Sequence, residues 1–325
     1  MTRPYEQLTD AGKSRRHRAT AKAALEHYGL GDAEIRQLAV DTNFVYRVTA
    51  ADGRRFALRV QRGGLHSPRE TELELWWVQR LGADGVPVAA AVPNQASELV
   101  TTIDGIAGVP GAHRCVLFDW LPGGAPDDNE MSYWRAMGEL AARLHRHSVD
   151  LAWPAHLSVR RWDSVFPYEA PVIFDPAHAR VVTPAMREVL EAGIATLDLD
   201  LAARYDDGRA VQLLHGDLHD ENVRSFRGNL SVFDFEDVIV GMPEHDLAVL
   251  LYGPYYNRDD FDDVAASVRA GYEAVAAWPI ADTSALTPLF TARALGLVNF
   301  CLSVGPDYDH YIAMLVDRVQ RWLQR

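Results

Sequence analysis

A chain of 325 residues that is 48% hydrophobic and 24% charged carries too much apolar side chain for a disordered segment and enough for a substantial core, in one large two-lobed unit or two domains. Its formal net charge of −13 opposes nonspecific contact with nucleic acid or an anionic membrane surface and tolerates cationic ligands. Only Cys115 and Cys301 are present, Met1-Thr2-Arg3-Pro4-Tyr5 has no apolar signal region, and no uninterrupted apolar run reaches membrane-spanning length. These features set the expectation of a cytoplasmic protein with neither a membrane nor a nucleic-acid partner.

The first predicted helix covers residues 8 to 28, with Ala21, Ala24, Leu25 and Tyr28 on one face and Gly29 as a stop. The basic run at 13 to 18 reads as a solvated face of that helix. From residue 35 the period changes to two, which predicts strands at 35 to 38, 44 to 50 and 55 to 60 with a turn at Asp52-Gly53 and an antiparallel N-terminal sheet. In the third strand Phe56, Leu58 and Val60 share one face, and Ala57 and Arg59 the other.

Ser67, Pro68 and Glu70 form a capping-box start for a helix to about residue 81, with Leu73, Trp77 and Leu81 on its buried stripe. Strands are predicted at 98 to 102 and 113 to 118, after which Pro122-Gly123-Gly124 marks the best domain boundary, giving 1–118 and 119–325. A long amphipathic helix at 133 to 147 follows, in which His145 and His147 fall on different faces and read as structural. Residues 150 to 185 read as irregular. Helices are further expected from Pro243 and near 261 to 277, 286 to 303 and 309 to 324.

The strongest signal lies in His215-Gly216-Asp217-Leu218-His219-Asp220-Glu221-Asn222, followed by Asp234-Phe235-Glu236. Strands at 223 to 226 and 230 to 233 with a turn at Arg227-Gly228-Asn229 separate the two runs. Asp217, Asn222 and Asp234 stand at the spacing of a kinase-type phosphoryl-transfer centre, with one carboxylate for the attacking hydroxyl and an amide plus a carboxylate for Mg²⁺. Mg²⁺ takes oxygen ligands and fills its shell with phosphate and water oxygens, so two protein groups suffice.

These runs resemble the aminoglycoside phosphotransferase and choline kinase-like superfamily, small-molecule relatives of the protein kinases, in which a His-Gly-Asp-x-x-x-x-Asn loop precedes an Asp-Phe-Glu segment. The resemblance implies an α+β, bilobal protein kinase-like fold, with an antiparallel sheet and one main helix in the N-terminal lobe and a larger, mostly helical C-terminal lobe. It implies Asp217 as catalytic base and Asn222 and Asp234 as magnesium ligands. Glu236 is left to metal-bound water or substrate. His215 is implied to hold the loop, and Asp246 to accept hydrogen bonds from the loop backbone. His219 either touches the transferred phosphoryl or bonds within the loop.

For the nucleotide, the resemblance implies that Phe56-Ala57-Leu58-Arg59 matches the kinase Val-Ala-Ile-Lys strand. Ala57 would then lie against adenine, with Arg59 in place of lysine at the phosphates and Glu74 as its acidic partner. The loop at 41 to 46 lacks the kinase glycines; Asn43 either substitutes there or holds a turn. Backbone groups of Phe118, Asp119 and Trp120 are implied to meet adenine at an interlobe hinge. The expected activity is ATP-dependent phosphorylation, with GTP still open, of a hydroxyl on an aminoglycoside, choline-like alcohol, homoserine or sugar. The alternatives are a bacterial stress-response-type protein kinase and a nucleotide-binding regulatory module without transfer activity.

Overall fold

In the computed structural model, which describes residues 4–40, 42–62, 66–168, 170–206, 208–304 and 308–325, the chain divides into two compact units. One is Met1–Pro122 with Ser231–Phe233, and the other is Gly123–Leu230 with Asp234–Arg325. Asp41, in the loop expected near the nucleotide, lies outside the described residues.

The first unit contains α1 (Asp10–Glu26), β1 (Glu34–Val40), β2 (Asn43–Thr49), β3 (Arg55–Gln61), α2 (Pro68–Ala83), β4 (Ala91–Val92), β5 (Thr101–Ile103) and β6 (His113–Asp119). The sheet runs β1-β2-β3-β6-β4 with β5 also on β6, and every pairing is antiparallel. Period-two alternation in β3 sends Phe56, Leu58 and Val60 into one core with Ala21, Ala24 and Leu25 of α1. Arg59 is thereby committed to the opposite face.

Helix α2 begins as its capping box predicts: Glu70 N donates to Ser67 Oγ (3.2 Å) and Ser67 N to Glu70 Oε2 (2.6 Å). Leu73, Trp77 and Leu81 are buried along it, together with Glu74. The strand expected at 98 to 102 is shorter, because Asn94 Oδ1 accepts from the backbone N–H groups of Ala96 and Glu98 and holds that stretch in a turn.

The basic run on α1 is not a uniformly solvated face. His17 is fully buried, with its ring stacked 4.0 Å from that of Phe44 and its Nε2 2.7 Å from the Tyr5 hydroxyl. Burial first, then the charges of His113 and Arg62, lower its pKa to about 4, so it packs as a neutral aromatic ring. Arg16 and Arg18 donate to the carbonyls of Gly108 (2.6 Å) and Ile35 (3.0 Å).

The second unit contains α3 (Met131–Ser148), β7 (Arg160–Arg161), α4 (Pro184–Asp206), β8 (Gln212–Leu214) and β9 (Val223–Phe226). After β10 (Asn229–Val232), whose last residues belong with the first unit, come β11 (Ile239–Gly241), α5 (Pro243–Asn257), α6 (Phe261–Glu273), α7 (Thr287–Val304) and α8 (Asp309–Leu323). Strands β9 and β10 pair as a hairpin, and Arg227 and Gly228 adopt the left-handed φ values (+53° and +79°) of a tight turn. No element is expected from the sequence over 184–206, yet α4 forms there and fully buries Leu190, Leu197 and Leu201. The segment Thr283–Val304, which ends in α7, has the length and mean hydropathy (1.4) of a membrane span, and 61% of that window is buried within the protein, as in a core helix.

Candidate active site

Strand β8 leads directly into His215, and β11 follows the turn that contains Asp237; Leu214 pairs with Ile239, so the loop that leaves β8 and the loop that enters β11 lie side by side at one end of an antiparallel pair. Their backbones touch at Gly216. Its φ is +85°, and a Cβ there would collide with the Asp237 carbonyl oxygen and crowd the Tyr168 hydroxyl. Tyr168 itself donates to that same carbonyl (2.9 Å).

The loop backbone hangs from Asp246 in the first turn of α5. Asp246 is fully buried, and its two oxygens accept from His215 N (3.0 Å) and Gly216 N (2.9 Å). His145 of α3 joins it at 3.1 Å, and the other nitrogen of that ring meets the Tyr272 hydroxyl at 2.9 Å. Burial pushes the Asp246 pKa up, but the His145 contact and the Gly216 N–H outweigh it and hold the carboxylate ionised. His215, also fully buried, packs 4.5 Å from Phe235 and accepts from Asp217 N through Nδ1 (3.2 Å).

Asp217 stands at the centre. Its Oδ2 accepts from His219 Nε2 (3.1 Å) and Asn222 Nδ2 (3.1 Å), and Asn222 Nδ2 also reaches the Asp217 carbonyl (2.9 Å). Its Oδ1 pairs with Nη2 of Arg293 at 2.6 Å. Burial opposes the charged form, yet Arg293 and His219 win, and the Asp217 pKa lies far below the usual carboxylate range. For His219, burial is outweighed by its bonds to Asp217 and Asp220, which carry it up to about 9. At neutral pH Asp217 is therefore flanked by two cations.

Asp234 is exposed and held at φ +64°, an uncommon left-handed conformation that aspartate tolerates better than most residues. Asp237, beside it, has its pKa pushed well up, by burial first and then by the charges of Asp217, Glu236 and Asp234. That mutual repulsion is the field a divalent cation relieves. Asn222 spends its amide hydrogens on Asp217, and no described residue bonds its Oδ1. Among the described residues no three His, Cys, Asp or Glu side chains form a metal site of their own. An amide oxygen and a carboxylate fit an ion that completes its shell with phosphate and water.

In the first unit, Arg59 Nη2 lies 2.5 Å from Glu74 Oε2, and both side chains are almost fully buried. The Arg59 guanidinium is 5.2 Å from the Phe118 ring centre. The β3–β6 register sets Ala57 opposite Phe118 and Phe56 opposite Asp119, and Arg55 lies 5.5 Å from the Trp120 ring. Asn43 sits buried at the start of β2, opposite Gln61 and two positions before Val45, which pairs with Arg59.

Four contributors are absent from the sequence expectations: Arg293, Tyr168, Asp237 and His145 in its role as the partner of Asp246. Arg293 leaves one signal, since it is the sole charged side chain in the 18 residues of α7. The tyrosines at 252, 255 and 256 pack into an aromatic cluster around Phe290, and Asp260 pairs with Arg258.

Comparison with known proteins places this geometry. The sequence profile of the phosphotransferase enzyme family matches residues 34–283. Amicoumacin kinase of Bacillus subtilis (strain 168) is 24% identical over 251 residues, which cover 75% of this chain and 70% of that protein. An amicoumacin kinase solved with AMP-PNP, Ca²⁺ and Ami superposes with a TM-score of 0.76 at 20% identity, over 97% of this chain and 96% of that one. A microcompartment-associated aminopropanol kinase gives a TM-score of 0.73 at 22% identity, over 93% and 94%. The α+β fold is that of these kinase-like phosphotransferases.

Proposed function

The chain belongs to the phosphotransferase enzyme family, and on that footing we propose that it transfers the terminal phosphoryl group of ATP, with Mg²⁺ as the divalent ion, to a hydroxyl of a small molecule. The observation that carries this reading is Asp217. It is an ionised carboxylate in a loop pinned through Asp246, bonded to His219, Asn222 and Arg293, with Asp234 on the loop that enters the neighbouring strand β11. Such an array has little covalent chemistry to perform and much positioning to do.

The division of labour follows from the groups. Asp217 orients the acceptor hydroxyl and takes its proton. Asn222 holds Asp217 by its amide hydrogens, and its oxygen together with the Asp234 carboxylate would hold the metal. That ion, when bound, neutralises charge on the phosphate oxygens. His219, charged at neutral pH, adds a cation beside the base, and Arg59 with Glu74 is assigned to the nucleotide phosphates. The acceptor class is an alcohol such as an antibiotic, an amino alcohol or a hydroxy amino acid.

The test is a screen of purified protein with ATP and Mg²⁺ against a panel of antibiotics, amino alcohols, hydroxy acids and sugars, scored by ADP release and phosphorylated product. Turnover with at least one small alcohol is expected, together with a rise in melting temperature on adding Mg²⁺ and nucleotide. Phosphate transfer only to protein substrates, or nucleotide binding with no transfer to any acceptor, would replace this reading.

A further inference from the structure

Arg293 bonds to Asp217 from α7, well outside the catalytic loop, and the roles assigned above leave most of its valence unspent. A guanidinium carries five N–H donors in a planar fork. One goes to Asp217 Oδ1, and the others have no partner among the described residues. None of its nitrogens is among the buried polar atoms sealed off without a partner, and a quarter of the side chain is exposed. The unspent N–H groups are thus open to something that is not protein.

The surroundings decide what that is. Asp217 Oδ2 is already held by two donors of its own loop, so a clamp at Oδ1 needs one donor, which an ammonium supplies as well. A fork with spare parallel donors matches a carboxylate, which it can take bidentately. An acceptor whose nearest polar group is an ammonium would meet the Arg293 guanidinium as a like charge, while a carboxylate would meet it as a counter-charge.

We propose that Arg293 is an acceptor-binding, specificity-determining residue that takes the carboxylate of a hydroxy acid, placing the hydroxyl of the same molecule at Asp217. This rests on the phosphotransferase reading and narrows it to one substrate class. In the transfer, the acceptor oxygen forms the new P–O bond while the bond from the terminal phosphorus to the bridging oxygen breaks. The electron pair leaves with ADP, and the hydroxyl proton passes to Asp217.

The experiment uses matched acceptors of equal chain length, each hydroxy carboxylate beside its carboxamide and its decarboxylated alcohol. Wild type, R293K and R293Q are compared by kcat and KM from ADP release. Wild type is expected to favour the carboxylate in kcat/KM by at least ~10-fold. R293Q is expected to slow both acceptors through its contact with Asp217 but to raise KM for the carboxylate alone, collapsing the selectivity ratio to about 1, with R293K between. An equal loss for both acceptors in R293Q, with the ratio unchanged, overturns the assignment. So does a wild type indifferent to the carboxylate, which decides the matter even if R293Q does not fold. Absence of transfer to any alcohol removes the phosphotransferase reading itself, whereas transfer that ignores the carboxylate removes only this inference.

Discussion

Nη2 of Arg293 lies 2.6 Å from Oδ1 of Asp217, a contact across 76 positions of sequence that sets the charge state of the proposed base. Replacing Asp217 by Asn keeps the shape, removes the proton acceptor and leaves the guanidinium without its counter-charge. Asp217→Asn is expected to lower kcat by ~10²–10⁴ while nucleotide affinity changes little. Steady-state kinetics beside a nucleotide titration checks both, and a variant that retains near wild-type turnover would dismiss Asp217 as the base.

Arg59 and Glu74 are buried together, so removing one takes the ion-pair partner from the other. Arg59→Ala is expected to lose ~3 kcal/mol of stability, as for breaking a buried ion pair, and to weaken ATP binding. Arg59→Lys keeps the charge but lacks the fork, and is expected to keep most of the stability and lose affinity for nucleotide. Chemical denaturation paired with calorimetric titration separates the two effects.

Asp234 is assigned to the divalent ion. Asp234→Ala is expected to reduce metal-dependent nucleotide affinity by at least ~10-fold, and EDTA to abolish turnover of the wild type. Equal affinity in variant and wild type at saturating Mg²⁺ would remove Asp234 from the ligand set.

Gly216 has no room for a methyl group and a backbone that L-residues avoid. Gly216→Ala is expected to cost at least ~2 kcal/mol from the left-handed φ and the collision with Asp237. Turnover should fall ~10²-fold or more through misplacement of Asp217. Thermal melts and kcat on the same preparation test this, and an unchanged kcat would show that the loop tolerates the shift.

Two buried histidines predict the acid limb of stability. His17 has its pKa lowered to about 4 and His245 to about 3, each by burial first, against 6.5 for the free side chain. Between those values the unfolded chain binds more protons than the folded one, so their contribution is complete above pH 6.5 and fades as the pH falls toward 3. Each histidine adds at most ~1.4 kcal/mol per pH unit to that slope. His17→Phe is expected to flatten it, read from denaturation midpoints at pH 7 and pH 5; equal slopes in the two proteins would count against a neutral buried imidazole.

What the sequence could reveal followed the range of the physics behind it. Asp217, Asn222 and Asp234 are legible because one loop and one hairpin present them, and the turn at Arg227-Gly228 is written in residue types. The capping box at Ser67 and the alternation in β3 are equally local. Arg293 is not legible, because its meaning depends on α7 packing beside a loop 76 residues earlier. His17 misleads for a related reason: a basic neighbourhood hides an imidazole whose environment makes it an aromatic core residue. Helix α4 is poorly announced because, although its buried Leu190, Leu197 and Leu201 fall on one face, apolar residues such as the exposed Leu199 lie on the other and blunt the contrast.

Gly138 in α3 and Gly271 in α6 leave no side chain between the two helices. A Cβ on Gly138 would strike the Val268 carbonyl, and one on Gly271 the Arg135 carbonyl, so the two helices meet main chain to main chain. Two turns along α3 from that crossing, His145 meets Tyr272 of α6 on one side and Asp246 on the other. The axial offset between two rods, fixed by the absence of two methyl groups, therefore acts as the gauge from which the Asp217 carboxylate takes its height. A slip of one helical rise there would reach the reacting atoms without altering a single residue that touches them.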